Sequence, residues 1–410
     1  MLPEERGVYQ VKMAEDFRVP ASEVEARIHR IQEEMKENEI HGLLVVQRVD
    51  LFYFSGTAQN GFLLVPAEGE PLLLVKKYMP RARRESSIRE MIEIRSVKEL
   101  PDRILDFYGR LPRTLGLELD VMPVNHFNFY RRLFPKQDCV DASPLILKLR
   151  AIKSQWEIAR MDRTAELSCK TFEYIQENIL PGYTEMEFAG MFETFARKLG
   201  HVSKLRVRDY QTEGFPWHIL SGKSGGLVGL LDAPVSGEGP SAAFPCGAGS
   251  KKLAANEPIF IDFNSVLNGY HSDETRMFSI GPMTQEAFDA CQAAIEIQNE
   301  VLDFVRPGIT PDDLFHLSVA KATSMGYAES YLGPPGYKVA FVGHGIGLEL
   351  VEQPIIASGK EAPLEPGMTF ALEPKLLFEN QFSAGIESVI LVTEKGHRLI
   401  SRTPLKVFIC

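Results

Sequence analysis

The most constraining feature of this chain is a pair of acidic residues set inside apolar, strand-like sequence. Residues 258–280 contain two β-rich runs separated by the turn signal Asn268-Gly269, which predicts a β-hairpin. Asp262 lies in the first run and Asp273 in the second. A single acidic residue is usually a solvated surface group, but several acids embedded in apolar sequence indicate a functional cluster.

The same pattern occurs again near the end of the chain. Glu373 closes one apolar run, a polar turn follows near Asn380, and Glu387 begins the returning run. Because the two glutamates are equally distant from Asn380, a symmetric hairpin would place them opposite each other. His344, in the glycine-rich stretch Gly343–Leu348, adds an imidazole to the set.

Four carboxylates held together would repel one another and raise one another's pKa, so the cluster is unfavourable unless cations neutralise it. Two divalent metal ions would do so. Oxygen ligands with one imidazole suit Mn, Co, Fe or Zn, and two such ions can share bridging carboxylates and a bridging hydroxide. The sequence therefore predicts a site for two divalent ions and leaves the metal open.

Three segments resemble, in order, the motifs of the pita-bread metallopeptidases, the family of prolidase, aminopeptidase P, methionine aminopeptidase and the metal-free creatinase. The segments are Gly343–Leu348, Leu364–Pro374 and Ile386–Thr393. The spacing of 11 residues between Asp262 and Asp273 is also that of the family.

The resemblance implies a role for each ligand. It places Asp262 on one ion, His344 and Glu373 on the other, and Asp273 and Glu387 as bridges between the two. It also implies that Glu373 is the catalytic residue, acting as ligand and general base, and that the protein is a homodimer.

The amino-terminal part of the chain has the alternating pattern of a small α/β domain. Val24–Asn38 is predicted to be an amphipathic helix, and buried strands are predicted at residues 41–46, 61–65 and 70–75. This order resembles the creatinase-like amino-terminal domain of the family, which carries none of the chemistry.

A helix start marks the entry to the second domain. Ser154 is a good N-cap, and Glu157 three residues later completes a capping box. Residues 149–161 also resemble the entry to the family's catalytic domain. We therefore expect an α/β (α+β) chain with an extension over residues 1–21, an amino-terminal domain over 22–148 and a pita-bread catalytic domain over 154–410.

The chain departs from the family at positions that handle substrate. Gly229 stands where prolidase-like and creatinase-like members carry a histidine, and Val351 stands at a second family histidine. Gly385 replaces the arginine that commonly precedes the last ligand motif. The metal ligands are thus kept while two imidazoles are lost.

Three residues are candidates for substrate binding. His218 is the nearest histidine in sequence to the lost imidazole, Glu352 follows Val351, and Lys375 stands where relatives commonly carry glycine. Lys375 is expected near the metal edge, where it could hold an anionic group of a substrate. The glycine-rich stretch of residues 222–249 is either a lid over the site or a tolerated insertion.

These features favour a dinuclear metal-dependent hydrolase, an Xaa-Pro dipeptidase or aminopeptidase. Two alternatives stay open: a metal-dependent hydrolase or lyase that acts on a non-peptide small molecule, and a non-catalytic binding module on the same fold. Without the two imidazoles, peptide cleavage is expected to be weak.

Charge and hydrophobic composition argue against nucleic acid and membrane as binding partners. A net charge of −10 argues against a nucleic-acid surface, which needs a basic face. No apolar run approaches membrane-spanning length, so a cytoplasmic protein without a membrane partner is expected, acting on a small peptide or another small molecule.

Overall fold

The structure of the chain is a computed structural model that describes residues 17–208, 217–230 and 233–410. The described residues divide into two compact units. One contains residues 17–150 together with Arg208, and the other contains residues 151–207 and the described residues from Trp217 onward. Most of the predicted extension over residues 1–21 lies outside the described residues.

The amino-terminal unit alternates helices and strands. They are α1 (Ala21–Glu37), β1 (Gly42–Val45), α2 (Arg48–Ser55), β2 (Gly61–Pro66), β3 (Leu72–Val75), α3 (Met79–Glu85), β4 (Glu90–Glu93), α4 (Leu100–Tyr108), β5 (Thr114–Leu117), α5 (Val124–Leu133), β6 (Asp138–Asp141) and α6 (Ser143–Ala151).

These strands form one six-stranded mixed sheet in the order β4-β3-β2-β1-β5-β6. The pairs β1–β2 and β2–β3 are antiparallel, and the other neighbours are parallel. Helix α1 buries one apolar stripe, as its sequence period predicts; the stripe consists of Val24, Ile28, Ile31 and Met35. The predicted helix and the three predicted strands are confirmed, with ends that shift by a few residues.

The second unit contains four long helices and the remaining strands. They are α7 (Gln155–Asn178), α8 (Glu185–Lys198), β7 (Trp217–Ser221), β8 (Ile259–Leu267), β9 (Tyr270–Ser279), α9 (Gln285–Phe304), α10 (Pro311–Ser324), β10 (Phe341–Gly345), β11 (Glu352–Ala357), β12 (Thr369–Leu372), β13 (Lys375–Phe378), β14 (Phe382–Gly385), β15 (Ser388–Val392), β16 (His397–Leu399) and β17 (Phe408–Ile409).

Three sheets build the second unit. A four-stranded sheet has the order β17-β9-β8-β7, a five-stranded sheet has the order β11-β10-β12-β15-β16, and β13 pairs with β14 alone. Aromatic side chains from α7 and α8 pack on β8 and β9, where Phe172 and Phe192 contact Phe263 edge to face. The helix α7 begins at the predicted capping box, because Ser154 Oγ accepts from Glu157 N at 3.1 Å and Glu157 Oε2 accepts from Ser154 N at 3.1 Å.

The predicted α/β class is confirmed. None of the described helices is long and apolar enough to cross a membrane.

Candidate metal centre

The hairpin of β8 and β9 positions the two aspartates. Its turn is built on Asn268 (φ 53°) and Gly269 (φ 90°), the left-handed pair that the sequence predicts for a tight hairpin. Asp273 pairs with Asn264, which lies two residues from Asp262 on the same strand. Since side chains two residues apart share a face, both carboxylates project from the same side of the sheet.

The two glutamates lie where one hairpin changes sheets. Leu372 pairs with Ser388 between β12 and β15, and Lys375 pairs with Gly385 between β13 and β14. Both ladders keep the register that the symmetric hairpin predicts. Glu373 and Glu387 occupy the junction between them, and both are buried.

His344 enters the cluster from β10, which is hydrogen-bonded to β11 and β12. Its Nδ1 lies 3.0 Å from the carbonyl oxygen of Gly345. A carbonyl can only accept, so this contact suits the tautomer with the proton on Nδ1, in which Nε2 has a lone pair for a ligand. Nε2 lies 3.7 Å from Asp273 Oδ2 and 3.8 Å from Glu373 Oε1.

These side chains form a donor set that fits a divalent ion. One ligand atom from each of Asp273, His344 and Glu387 lies within 4.8 Å of the others, and all three residues are buried. Among the described residues, Asp273 Oδ1 is a buried oxygen with no hydrogen-bond partner. A buried carboxylate oxygen without a donor is unfavourable unless a cation satisfies it, and the mixture of oxygen and imidazole donors suits a transition metal.

Lys375 lies inside the carboxylate cluster. Its Nζ is 3.0 Å from Asp262 Oδ2, 2.8 Å from Glu373 Oε2 and 3.0 Å from Glu387 Oε2. Its side chain is 2% exposed. An ammonium group has three donor positions and no acceptor, so three carboxylates match its hydrogen-bonding capacity.

The Lys375 ammonium affects the pKa values of the surrounding carboxyls to different extents. Burial lowers the pKa of Lys375, but Asp262, Glu373 and Glu387 outweigh it and raise that pKa well above its ordinary value. Burial likewise opposes ionisation of Asp262, yet Lys375 and then His218 hold the pKa of Asp262 below its ordinary value.

Two carboxyls, those of Asp273 and Glu387, keep raised pKa values even though Lys375 contacts Glu387. Burial, followed by repulsion from Glu387 and Asp262, raises the pKa of Asp273 well above its ordinary value. Burial also raises the pKa of Glu387 to about 8, although Lys375 opposes that shift. Asp273 and Glu387 are therefore the carboxylates that a further cation would stabilise most, and both belong to the donor set that includes His344.

Two residues that were not among the sequence-predicted candidates, Thr275 and Arg276, hold Glu387 in place through hydrogen bonds. Thr275 Oγ1 donates to Glu387 Oε2 at 2.9 Å. The fully buried Arg276 donates to the backbone carbonyl of Glu387 at 2.5 Å and to those of Thr275, Thr403 and Pro404 at 2.6–3.0 Å. Arg276 thereby ties β9 to the strand entry that carries Glu387.

The three candidate substrate residues have different surroundings. His218 pairs with Asp262 across β7 and β8, beside the cluster. Glu352 is buried in an ion pair with Lys153, 2.9 Å between Nζ and Oε2, and its Oε1 accepts from the backbone of Glu349. The Lys375 ammonium lies among the carboxylates of Asp262, Glu373 and Glu387. Substrate contact by these residues stays a prediction.

The structure shows the surroundings of Gly229 and Val351, which stand where the family carries histidines. A Cβ added at Gly229 would lie 1.8 Å from the carbonyl oxygen of Pro245, so no side chain fits this backbone. Val351 is 38% exposed. The stretch of residues 222–249, of which 231 and 232 lie outside the described residues, begins with a short 3-10 helix, Gly222–Gly226; its role as a lid stays a prediction.

Comparisons with known proteins identify the family of this chain. Residues 159–394 match the model of Metallopeptidase family M24, and residues 27–152 match that of the Creatinase/Prolidase N-terminal domain. The chain therefore belongs to Metallopeptidase family M24. The resemblance to pita-bread metallopeptidases is confirmed, and so is the expectation of a metallopeptidase-like enzyme that requires divalent metal.

Individual relatives cover nearly the whole chain. The Xaa-Pro dipeptidase of Pyrococcus furiosus is 24% identical over 92% of this chain and 98% of its own length. The probable dipeptidase PepE of Mycobacterium tuberculosis is 25% identical over 90% of this chain and 92% of its own. The solved structure of the Xaa-Pro dipeptidase from Bacillus anthracis superimposes with a TM-score of 0.81 at 24% identity, covering 94% of this chain and 100% of that one.

Proposed function

We propose that this protein is a metal-dependent hydrolase that cleaves short peptides with proline in the second position, as an Xaa-Pro dipeptidase or aminopeptidase. The observation that carries the proposal is the convergence of Asp273, His344 and Glu387 donor atoms within 4.8 Å in a buried setting. Relatives named as Xaa-Pro dipeptidases support the substrate class.

The residues of the centre have separate roles in binding the metal and in moving a proton. Asp273, His344, Glu387 and Glu373 would hold the metal, for which Mn, Co, Fe and Zn are all suitable. When bound, a divalent ion supplies Lewis acidity, which polarises a scissile carbonyl and makes water more acidic near neutral pH.

Glu373 is suited to move the proton in this reaction. Its Oε2 is fixed by Lys375 at 2.8 Å, while its Oε1 faces the His344 side of the cluster. Oε1 would accept a proton from the attacking water and return it to the departing amine nitrogen. The resemblance predicts two ions with a bridging hydroxide, whereas the position of Lys375 favours a single ion.

A hydrolase or lyase acting on a non-peptide small molecule is the second candidate. It is favoured by the backbone packing at Gly229, which leaves no room for the imidazole expected there. Imidazoles that position a carbonyl or donate to the transition state contribute roughly two or more orders of magnitude in rate. Their absence predicts weak peptide cleavage.

The test is a turnover assay with matched peptides. Metal-loaded protein is incubated with dipeptides and tripeptides that carry either proline or alanine second, and with a panel of non-peptide metabolites, and products are identified by mass spectrometry. We expect cleavage of the proline peptides only, and a loss of about a hundredfold or more in Glu373→Gln. Glu379→Gln, at an exposed glutamate on the neighbouring turn, is the matched control and should retain activity.

The outcomes separate the candidates. Turnover of a non-peptide with all peptides untouched would move the assignment to the second candidate. A chain that binds metal but turns over nothing would favour the binding module. The homodimer and the cytoplasmic location stay predictions of the resemblance and of composition; light scattering at micromolar concentration tests the first.

A further inference from the structure

Lys375 occupies a place that the family resemblance assigns to metal. The resemblance puts one ion on Asp262 with Glu387 as a bridging ligand. In this chain an oxygen of each of these carboxylates lies 3.0 Å from Lys375 Nζ, and Glu373 Oε2 lies 2.8 Å from it. The ammonium therefore takes the oxygens that this ion would need.

The local backbone makes room for the lysine side chain. Lys375 and Gly385 are paired across β13 and β14, and a Cβ added at Gly385 would lie 2.9 Å from Lys375 Cγ and 2.9 Å from Phe260 Cε2. The backbone of Gly385 is not left-handed, so glycine is needed here because a side chain would occupy the space of the Lys375 side chain. The ammonium itself lies 5.6 Å from the centre of the Phe260 ring, within cation-π range.

A metal ion and this ammonium exclude each other. Transition metals bind carboxylate oxygens at about 2.0–2.2 Å, so an ion on the oxygens of Asp262 and Glu387 would be a close neighbour of Nζ. Two cations would then compete for the same lone pairs and repel each other across a few ångströms in a buried site. The buried lysine side chain, 2% exposed, has no solvent into which its head could move without repacking.

The other half of the cluster is left open for an ion. Asp273 Oδ1 has no hydrogen-bond partner among the residues that the structure describes. His344 Nε2 carries its lone pair toward Asp273 Oδ2 and Glu373 Oε1, at 3.7 and 3.8 Å. These atoms, with Glu387, offer the mixed oxygen and nitrogen ligands of one transition-metal ion.

We propose that Lys375 is a built-in cation that replaces one of the two metal ions, so that this chain holds a mononuclear centre on Asp273, His344, Glu373 and Glu387. The proposal rests on the metal-dependent function proposed above and deepens it by fixing the number of ions. Asp262 then serves as a counter-ion of Lys375 and not as a metal ligand. One consequence is that a single metal-binding event saturates the site.

The number of bound ions tests the proposal on the full chain. Purified wild-type protein is stripped with chelator, reloaded with Mn and analysed by native mass spectrometry and by elemental analysis. We expect one ion per chain, with metal uptake that follows a single-site isotherm. Electron paramagnetic resonance of the Mn-loaded protein should show an isolated ion and not two exchange-coupled ions.

A substitution provides the converse result. Lys375→Gly removes the ammonium and opens the Asp262 side, so the variant should bind two Mn ions per chain and give the exchange-coupled signal. Lys395→Met, at an exposed lysine, is the control and should keep one ion. If Lys375→Gly does not fold, the wild-type count and its resonance spectrum still decide.

Each outcome has a distinct meaning. Two ions in the wild type, or an exchange-coupled signal from it, would overturn the role of Lys375 and leave the metal-dependent function standing. No ion in the wild type after reloading would overturn both. A variant that folds and still binds one ion would show that Lys375 does not keep the second ion out.

Discussion

The buried ion pair between Lys153 and Glu352 provides a prediction whose size follows from the structure. The side chains are 2% and 3% exposed, and Nζ lies 2.9 Å from Oε2. Lys153→Met keeps the apolar stem but removes the ammonium that faces the buried Glu352 carboxylate. Removing one partner of such a pair typically costs about 3–5 kcal/mol of unfolding free energy.

The pair also lies under the segment that carries His344. A Cβ added at Gly347 would lie 2.9 Å from both Glu352 Oε2 and Lys153 Cε, so the backbone after His344 packs directly on the two charges. We therefore expect Lys153→Met to weaken metal binding as well as stability, because the imidazole would be less firmly placed. Glu352 would then position the segment that carries His344, and its contact with substrate stays a prediction.

Urea unfolding followed by circular dichroism measures the effect. Lys170→Met is the matched control, because the Lys170–Glu166 pair is 37% and 47% exposed and such helix pairs contribute about 0.3–0.5 kcal/mol. The double variant Lys153→Met/Glu352→Gln removes both charges and should recover part of the loss, since the amide oxygen can still accept from Glu349 N. A Lys153→Met variant that loses no more unfolding free energy than Lys170→Met would show that the buried pair does not stabilise the fold as expected.

Two further predictions concern the scaffold. Arg276→Met should lower the unfolding free energy by about 3–5 kcal/mol, because it leaves Glu274 and several carbonyls, including that of Glu387, buried without their donor; an unchanged urea midpoint would contradict this. Burial lowers the pKa of His201 to about 4, and its Nδ1 accepts from Val266 N at 2.9 Å. Between about pH 6.5 and 4 the unfolded chain therefore protonates His201 while the folded chain does not, so the unfolding free energy falls as the pH drops through this range. In a pH series of melting curves, His201→Gln should lose less stability over the same range than the wild type.

Much of the scaffold of the site could be predicted because it depends on short-range patterns. The Asn268-Gly269 signal sets a tight turn, and from it follows the register that brings Asp262 and Asp273 to one face. Equal spacing about Asn380 predicts the register of the second hairpin for the same reason. The stripe of α1 and the capping box of α7 are likewise local.

The position of Lys375 could be predicted only in part. Its place beside the cluster follows from its sequence neighbour Glu373, but its inward direction depends on the cross-strand partner Gly385 and on Phe260, 115 residues away in sequence. A glycine where arginine is common, opposite a lysine where glycine is common, is the signal that could have indicated it.

The supporting contacts could not be predicted from spacing. Lys153 and Glu352 are 199 residues apart, and Arg276 reaches carbonyls more than 100 residues away. Such pairs depend on how the sheets of the second unit pack, which no local period encodes. The sequence motif makes Glu352 a candidate for substrate binding, whereas its ion pair with Lys153 depends on the tertiary structure.

We propose above that one metal ion and one lysine ammonium share the carboxylates of this centre. An anomalous difference map from a crystal of the Mn-loaded wild-type protein tests it most directly. We expect a single peak per chain, among Asp273, His344, Glu373 and Glu387, with the Lys375 ammonium in contact with Asp262. Two peaks bridged by Asp273 and Glu387, with Lys375 turned away, would contradict it.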